Sequence, residues 1–263
     1  MKLKDFNGKT ALVTGASGGL GGDFARQLAD AGANLILTSR RGDTLEALAG
    51  EIRTKHPSVR VDVIVQDLGA ADGVDSLDAA IKAKALAVDI LVNNAGYGSF
   101  GAFDEIPWEK ENAMLQLDIV TLVRATKVFS AGMKKRGWGR ILQIASIGAF
   151  QPTPMYASYG AAKAFVLSYG IAVNRELKGT GVSCTVLSPG VTATDFFKVA
   201  GQKLSAYQKM VIMPSAAATR VGLKALARGG KAVVPGFVNK VSAVMMRFIG
   251  RGVAASMADS LMK

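Results

Sequence analysis

The chain has one cysteine, Cys184, and one histidine, His56, in 263 residues. A lone cysteine cannot close an internal disulfide, and it fits a reducing compartment. With a single imidazole, neither a His/Cys metal site nor a histidine-based triad is expected. Acidic residues are scarce: 20 Asp and Glu face 32 Lys and Arg, a net charge of +12. Such an excess favours anionic partners in general, whether phosphorylated small molecules, acidic membranes or nucleic acid. The basic residues are scattered rather than interleaved with aromatics, which are only 7% of the chain, so no nucleic-acid partner is expected. No stretch offers ~18 uncharged apolar residues, so no membrane span is expected. The opening "MKLKDFNGKTALVTG" has neither a long apolar run nor a cleavage-like site, so the expected location is cytoplasmic.

What is present is an alternation of short β-branched runs and longer helical stretches. Strands are predicted over 9–15, 34–40, 59–67, 88–96, 139–146, 181–190 and 231–236. Between them, helices are predicted over 21–33, 43–55, 72–84, 108–136 and 156–178. In the first helix Phe24, Leu28 and Ala31 share a face, and Asp43 with Glu46 resembles a capping box for the second. Strands alternating with helices imply parallel pairing, because each crossover must return across the sheet. The runs "ALVT", "LILT", "ILV" and "CTVL" are continuously apolar, as in strands covered on both faces. The expected fold class is α/β, a Rossmann-type doubly wound parallel sheet of about seven strands, in a single domain over 1–263. Ligands of such sheets sit outside the carboxyl ends of the strands.

"TGASGGLG", Thr14 to Gly21, falls directly after the first strand and opens the first helix. Glycines let a backbone approach a pyrophosphate closely, and a helix N-terminus offers it free N–H groups. The spacing is Gly15-x-x-x-Gly19-x-Gly21 rather than the commoner G-x-G-x-x-G. The end of the second strand reads "LTSRRGD": Ser39 stands where an acid would hold a ribose 2′-hydroxyl, and Arg40 and Arg41 follow. A guanidinium can pair with a 2′-phosphate in a fork, so the expected cofactor is NADP(H). The alternative makes both arginines solvated loop charges. Asp67-Leu68 ends the third strand, where a carboxylate can meet an adenine amino group, and "NNAG" (93–96) ends the fourth with small residues.

The order of elements is more specific than any one of them. The Thr14–Gly21 turn, Asn93-Asn94-Ala95-Gly96, Ser146 after the fifth strand, Tyr159-x-x-x-Lys163, and Pro189-Gly190 after the sixth follow one another. Over about residues 8–200 this resembles the short-chain dehydrogenase/reductase family. The resemblance implies cofactor contacts from Gly15, Ser17, Gly19, Leu20 and Gly21, from Arg40 and Arg41, and from Asp67 and Leu68. It implies others from Asn93, Ala95 and Gly96, from Tyr159 and Lys163, and from Pro189, Gly190, Val191, Thr192 and Thr194, the last group holding the nicotinamide carboxamide.

Tyr159 and Lys163 are i and i+4, so they share one helix face. An unperturbed phenol titrates near ~10, too high for a base at neutral pH. A cation at ~4 Å is worth roughly 4 kcal/mol at an effective dielectric of ~20, about three pKa units. The expectation is that Lys163 lowers the phenol of Tyr159. By resemblance, Tyr159 is the general acid/base, Lys163 also hydrogen-bonds the nicotinamide ribose, and Ser146 polarises the substrate carbonyl. The family usually carries an asparagine in the long helix before the fifth strand, and this chain has Asp118 in "LQLDIVT". A carboxylate still accepts hydrogen bonds, so retained activity is expected.

Residues 193–213 resemble the family's variable substrate lid. Phe196, Phe197, Tyr207, Met210 and Met213, with Phe150, Met155 and Tyr156, suggest an apolar pocket; core packing is the alternative. The tail over about 236–263 is amphipathic, with Phe237, Val241, Val244, Met245 and Phe248 on one face and Lys240, Arg247 and Arg251 elsewhere. It either packs on the domain or a neighbouring subunit, or lies on an anionic membrane. The expected function is NADP(H)-dependent hydride transfer between nicotinamide and a carbonyl/alcohol pair. The alternative is a nucleotide-sensing scaffold without turnover on the same fold. The resemblance implies a homodimer or homotetramer paired through the two long helices.

Overall fold

The computed structural model describes residues 3–262, with side chains from Asp5 to Ser260 apart from those at 206, 207 and 209. Seven strands form one sheet in the order β3-β2-β1-β4-β5-β6-β7, every adjacent pair parallel. They are β1 (Thr10–Thr14), β2 (Asn34–Ser39), β3 (Val61–Val65), β4 (Ile90–Asn93), β5 (Gly139–Ile144), β6 (Val182–Leu187) and β7 (Ala232–Val233). The expected sheet is therefore the observed one.

Strand periodicity sorts the apolar residues onto two faces. Val13, Leu35 and Leu37 pack with Phe24, Leu28, Leu45 and Ile52, under helices α1 (Gly19–Asp30) and α2 (Gly42–Lys55). Leu12, Ile36, Leu91 and Ile141 pack on the other face with Leu77, Ile81, Phe129 and Met133. These last come from α3 (Gly73–Ala83) and from the long helical region made of α4 (Trp108–Leu115), a π-helical turn (Gln116–Thr121) and α5 (Leu122–Lys135). After β5 come a short 3-10 turn (Ile147–Phe150) and the long helix α6 (Ala157–Glu176). Both faces of the sheet are thus dry, which explains the unbroken apolar runs.

The expected capping box needs correction. Asp43 does not cap α2: the helix begins at Gly42 with Arg41 before it and no side-chain cap, and Asp43 lies inside the first turn. A carboxylate there still complements the helix dipole. Glu46 is drawn away toward Arg53, 3.4 Å distant.

The segment beyond β6 holds more structure than its sequence suggested. Helices α7 (Phe196–Ala200) and α8 (Ala206–Val211) form the lid region, and α9 (Ser215–Arg228) is the crossover to β7. The crossover is a geometric requirement of a parallel β6–β7 pair, and α9 buries Leu223 and Leu226 against the α1 side. Helices α10 (Phe237–Met245) and α11 (Arg251–Met262) close the chain. Among the described residues, no helix is long and apolar enough to cross a membrane.

Candidate active site

The chain reverses its winding direction between β1 and β4, where the carboxyl ends of the strands leave a crevice. The Gly-rich turn lies at this point. It is organised by two residues that the sequence reading did not single out, Thr14 and Asn94. The Thr14 hydroxyl accepts the backbone N–H groups of Asn94 and Ala95 at 3.0 and 2.9 Å. The Asn94 amide donates to the carbonyls of Thr14 and Gly15 at 2.9 and 3.2 Å. A polar residue closing β1 and a second asparagine closing β4 were the available signals.

The turn cannot hold larger residues. A Cβ at Gly21 would lie 2.2 Å from the Gly15 carbonyl oxygen and 2.7 Å from the Asn94 amide nitrogen. Backbone therefore packs on backbone where the first helix begins, leaving the rim of Ser17, Gly19 and Leu20 as the surface of a shallow cradle. Arg41 braces this rim: its guanidinium donates to the Ser17 carbonyl at 2.9 Å and to the Ser17 hydroxyl at 3.1 Å. Arg40 beside it is exposed. The two positive charges stand at the end of β2 with no carboxylate between them, an arrangement suited to a phosphate.

Other expected cofactor residues separate into two groups. Asp67 is exposed at the crevice, its carboxylate accepting the Gly69 N–H at 2.9 Å. Leu68 is buried and its carbonyl accepts the Thr121 hydroxyl at 2.7 Å. Asn93 turns its side chain away from the crevice, into a buried network with Thr126 (3.1 Å) and Gln143 (3.0 Å). An amide there satisfies polar groups between sheet and helix, so this side chain is structural. Ala95 and Gly96 continue along the crevice floor. Pro189 and Gly190 leave β6, with the Pro189 carbonyl accepting the Ile147 N–H at 2.7 Å. Val191 and Thr192 form a short parallel bridge with Met213. The Thr194 side chain lies 3.3 Å from where a Cβ on Gly19 would stand, so the lid root closes over the Gly-rich turn. A cleft of about 470 Å³ runs between them, lined by Gly19, Asp23, Arg26, Thr194 and Ser215 among others.

Tyr159, Lys163, Ser146 and Asp118 converge at the carboxyl ends of β4 and β5. Tyr159 and Lys163 stand one turn apart on α6. Ser146 precedes the 3-10 turn after β5; its hydroxyl accepts the Gly148 N–H at 3.2 Å, and it draws the pKa of the nearby Tyr159 phenol downward. Tyr159 keeps partial access to solvent, under the ring of Phe196 at 5.3 Å between centroids. Tyr156 is buried beneath, its hydroxyl donating to Gln202 at 2.8 Å, so it is not a competitor for the reacting position.

Lys163 is placed differently from expectation. Its ammonium lies 2.8 Å from the Asp118 carboxylate and 3.3 Å from the Ile144 carbonyl. The ring centroid of Tyr159 is 5.5 Å away. The phenol is consequently not lowered by its neighbour. Burial pushes its pKa well above the usual tyrosine value, the Asp118 charge pushes the same way, and only the Ser146 hydrogen bond opposes them. Asp118 is the counter-ion that the pairing of Tyr159 and Lys163 left out, and it holds the ammonium in place.

Asp118 lies in the π-helical turn, fully buried. Its other oxygen accepts the Tyr97 N–H at 3.1 Å, and a Cβ at Gly96 would come within 2.6 Å of that oxygen. Gly96 is therefore required by the carboxylate as much as by any ligand. Burial raises the Asp118 carboxyl and Lys163 pulls it back down.

The lid region flanks this centre. Phe196 and Phe197 meet edge to face at 5.3 Å, and a cavity of about 460 Å³ is lined by Phe197, Lys198, Gln202, Leu204 and Ile212 among others. Met210 is largely exposed and Met213 is held in the bridge to Thr192. The side chain of Tyr207 lies outside the described residues.

Residues 9–205 match the family model for short chain dehydrogenases. The very-long-chain 3-oxoacyl-CoA reductase of Aspergillus clavatus is 34% identical over 194 residues, 73% of this chain and 56% of that protein. The chain thus spans a little over half the length of that relative. A solved 7beta-hydroxysteroid dehydrogenase is 25% identical with a TM-score of 0.87, covering 98% of this chain and 100% of that one. A short-chain dehydrogenase from Sphingobium yanoikuyae, solved in complex with NADPH, is 27% identical with a TM-score of 0.80, covering 95% and 99%. With the ordered strand-end motifs and the crevice between β1 and β4, the matched span makes this chain a member of the short-chain dehydrogenase family, an oxidoreductase.

Proposed function

We propose that the protein is an NADP(H)-dependent reductase of apolar ketones, working also on the corresponding alcohols in reverse. The observation that carries this reading is the convergence of Ser146, Tyr159 and Lys163 beneath Phe196, at the mouth of a crevice whose far end is lined by Arg40 and Arg41. The residues fit a phosphorylated dinucleotide: the floor at Gly15, Gly21 and Gly96 has no room for side chains, and two guanidiniums wait where a 2′-phosphate would be recognised. The relative solved with NADPH supports the same cofactor.

The nicotinamide, when bound, supplies or accepts the hydride. The chain's own residues handle the oxygen and its proton. Ser146 donates to the substrate carbonyl and orients it. Tyr159, protonated at neutral pH because burial holds its pKa high, delivers the phenolic proton to the oxygen as negative charge develops there. Lys163, anchored by Asp118 and the Ile144 carbonyl, would hold the nicotinamide ribose through its remaining N–H. Asp118, standing where the family usually has an asparagine that supports a proton-relay water, positions Lys163 in this chain. The Val191 backbone with the hydroxyl of Thr192 or Thr194 would hold the carboxamide, and Phe196 with Phe197 would cover a hydrophobic substrate as part of the lid. The names of the relatives, a reductase of very long acyl chains and a steroid dehydrogenase, support a large apolar substrate.

Exposed Val120, Phe165 and Ile171 on the two long helical regions support pairing of copies through those helices, as a homodimer or homotetramer.

The test is NADPH oxidation followed with a panel of aliphatic and polycyclic ketones. Turnover should fall by about 10²- to 10⁴-fold in Tyr159→Phe while NADPH still quenches protein fluorescence. Binding of NADPH without consumption across the panel would favour the sensing scaffold instead, and best turnover with small polar substrates would remove the apolar assignment.

A further inference from the structure

The two C-terminal helices sit on the rest of the molecule in a reversed sense. Helix α10 turns Asn239 and Ala243 inward: the Asn239 amide lies against Gly190 and donates to the Pro235 carbonyl at 3.0 Å, and Ala243 is buried. Its large apolar side chains face outward. Phe237 is 81% exposed and Phe248, in the turn after the helix, 80%, with Val241, Val244 and Met245 between them about half exposed. Helix α11 repeats the pattern, with Ala254 and Ala258 buried and Val253 and Met257 exposed. A helix that only closed a core would do the opposite, burying its phenylalanines and showing its asparagine to water. Two consecutive helices thus each carry their large apolar side chains outward.

The charge distribution identifies what that face meets. From Phe196 to Ala258 the chain carries ten Lys and Arg and no Asp or Glu. Most of the molecule's net positive charge is therefore in this segment. Lys240 lies on α10, Arg247 in the turn after it, and Arg251 opens α11; all three are exposed. An outward apolar face bordered by cations is the pattern of a helix lying in a lipid interface, its apolar side chains among the acyl chains and its basic ones at the phosphates. A second copy of this chain is a poor occupant, because its own segment, carrying Lys240, Arg247 and Arg251 with Asp259 as its one acid, would bring like charges together.

We propose that α10 and α11 form a docking face for the surface of an anionic lipid bilayer. This inference stands apart from the reading of the site around Tyr159. Flotation of the full chain with phosphatidylcholine vesicles, with and without added phosphatidylglycerol, tests it. The protein should float with the phosphatidylglycerol-containing vesicles, remain behind with neutral ones, and be released by high salt. The pair Lys240→Glu/Arg247→Glu should lower the bound fraction at least about tenfold, from the attraction each basic side chain contributes at the surface. The pair Phe237→Ser/Phe248→Ser should do likewise, and both should retain wild-type circular dichroism and NADPH quenching. The proposal falls if the wild type stays at the bottom of the gradient with anionic vesicles, or if the charge-reversed pair floats as well as the wild type. It falls equally if sedimentation velocity shows an oligomer that Phe237→Ser/Phe248→Ser takes apart without any vesicle binding, which would give the face to a second copy.

Discussion

The carboxylate of Asp118 meets the ammonium of Lys163 at 2.8 Å, with the two side chains 0% and 8% exposed. Such a pair is costly to bury and far costlier to break, since removing one partner leaves a lone charge out of water. Asp118→Ala should therefore destabilise the protein by about 3 kcal/mol or more, read from the urea midpoint at unchanged slope. Asp118→Asn, which keeps the size of the side chain and one acceptor oxygen for either Lys163 or the Tyr97 N–H, should cost clearly less. Equal losses for the two variants would mean that the charge alone, and not the shape and acceptor that asparagine keeps, carries the contribution of Asp118.

The same carboxylate sets a pH dependence. Burial first and Asp118 second hold the Tyr159 phenol above its ordinary range. As an acid it stays protonated through neutrality, so the ketone-reducing rate should be flat from about pH 6 to about 9. As a base it must first lose its proton, so alcohol oxidation should climb by up to about tenfold per pH unit over the alkaline range. Removing the negative charge lowers the phenol, and Asp118→Asn should move the oxidation limb to lower pH. At neutral pH oxidation should rise about threefold or more, with reduction within about tenfold of wild type. An unmoved limb would contradict the electrostatic role given to Asp118.

Arg41 grips Ser17 through three contacts between 2.9 and 3.2 Å, so it is already oriented before any phosphate arrives. A charge-assisted hydrogen bond of about 1.5–3 kcal/mol converts to a rise of about 10- to 100-fold in the KM for NADPH in Arg41→Ala. The KM for NADH should change little. A parallel rise for both cofactors would show that Arg41 supports the turn rather than the 2′-phosphate.

Gly21→Ala would put a methyl 2.2 Å from the Gly15 carbonyl oxygen. Backbone has to move to relieve this, and the move opens the Gly-rich turn. A loss of about 1–3 kcal/mol in stability is expected, together with loss of NADPH quenching. Gly50→Ala is the control: a Cβ there meets nothing within 4 Å, and alanine suits the middle of α2 better than glycine by roughly 1 kcal/mol.

The sheet was legible because continuous apolar runs such as "LILT" have few uses other than central parallel strands. The ordered strand ends were legible for the same reason, each motif being anchored to a strand. Helix α9 was not, because "SAAATRVGLKALAR" follows a variable lid and its small residues give a weak period. The placement of Lys163 was misjudged for a different cause. Spacing of i and i+4 fixes which face a side chain leaves from, and a lysine stem is long enough to swing to a carboxylate on another helix. The partner's identity, Asp118, was in view, but its distance to the ammonium exists only once α6 and the π-helical turn have packed together. For Asn93 the strand end was recognised, while the side of the sheet to which its amide points is set by Gln143 and Thr126.

The π-helical turn at Gln116–Thr121 holds one residue more than an ordinary helical turn would. Excising a single residue there would restore regular winding and rotate the preceding helix α4 by about 100° relative to α5. Either Asp118 would leave the ammonium or Trp108–Leu115 would lose its seat. One inserted position thus lets the chain choose the counter-ion of its lysine independently of how its longest helical stretch is packed.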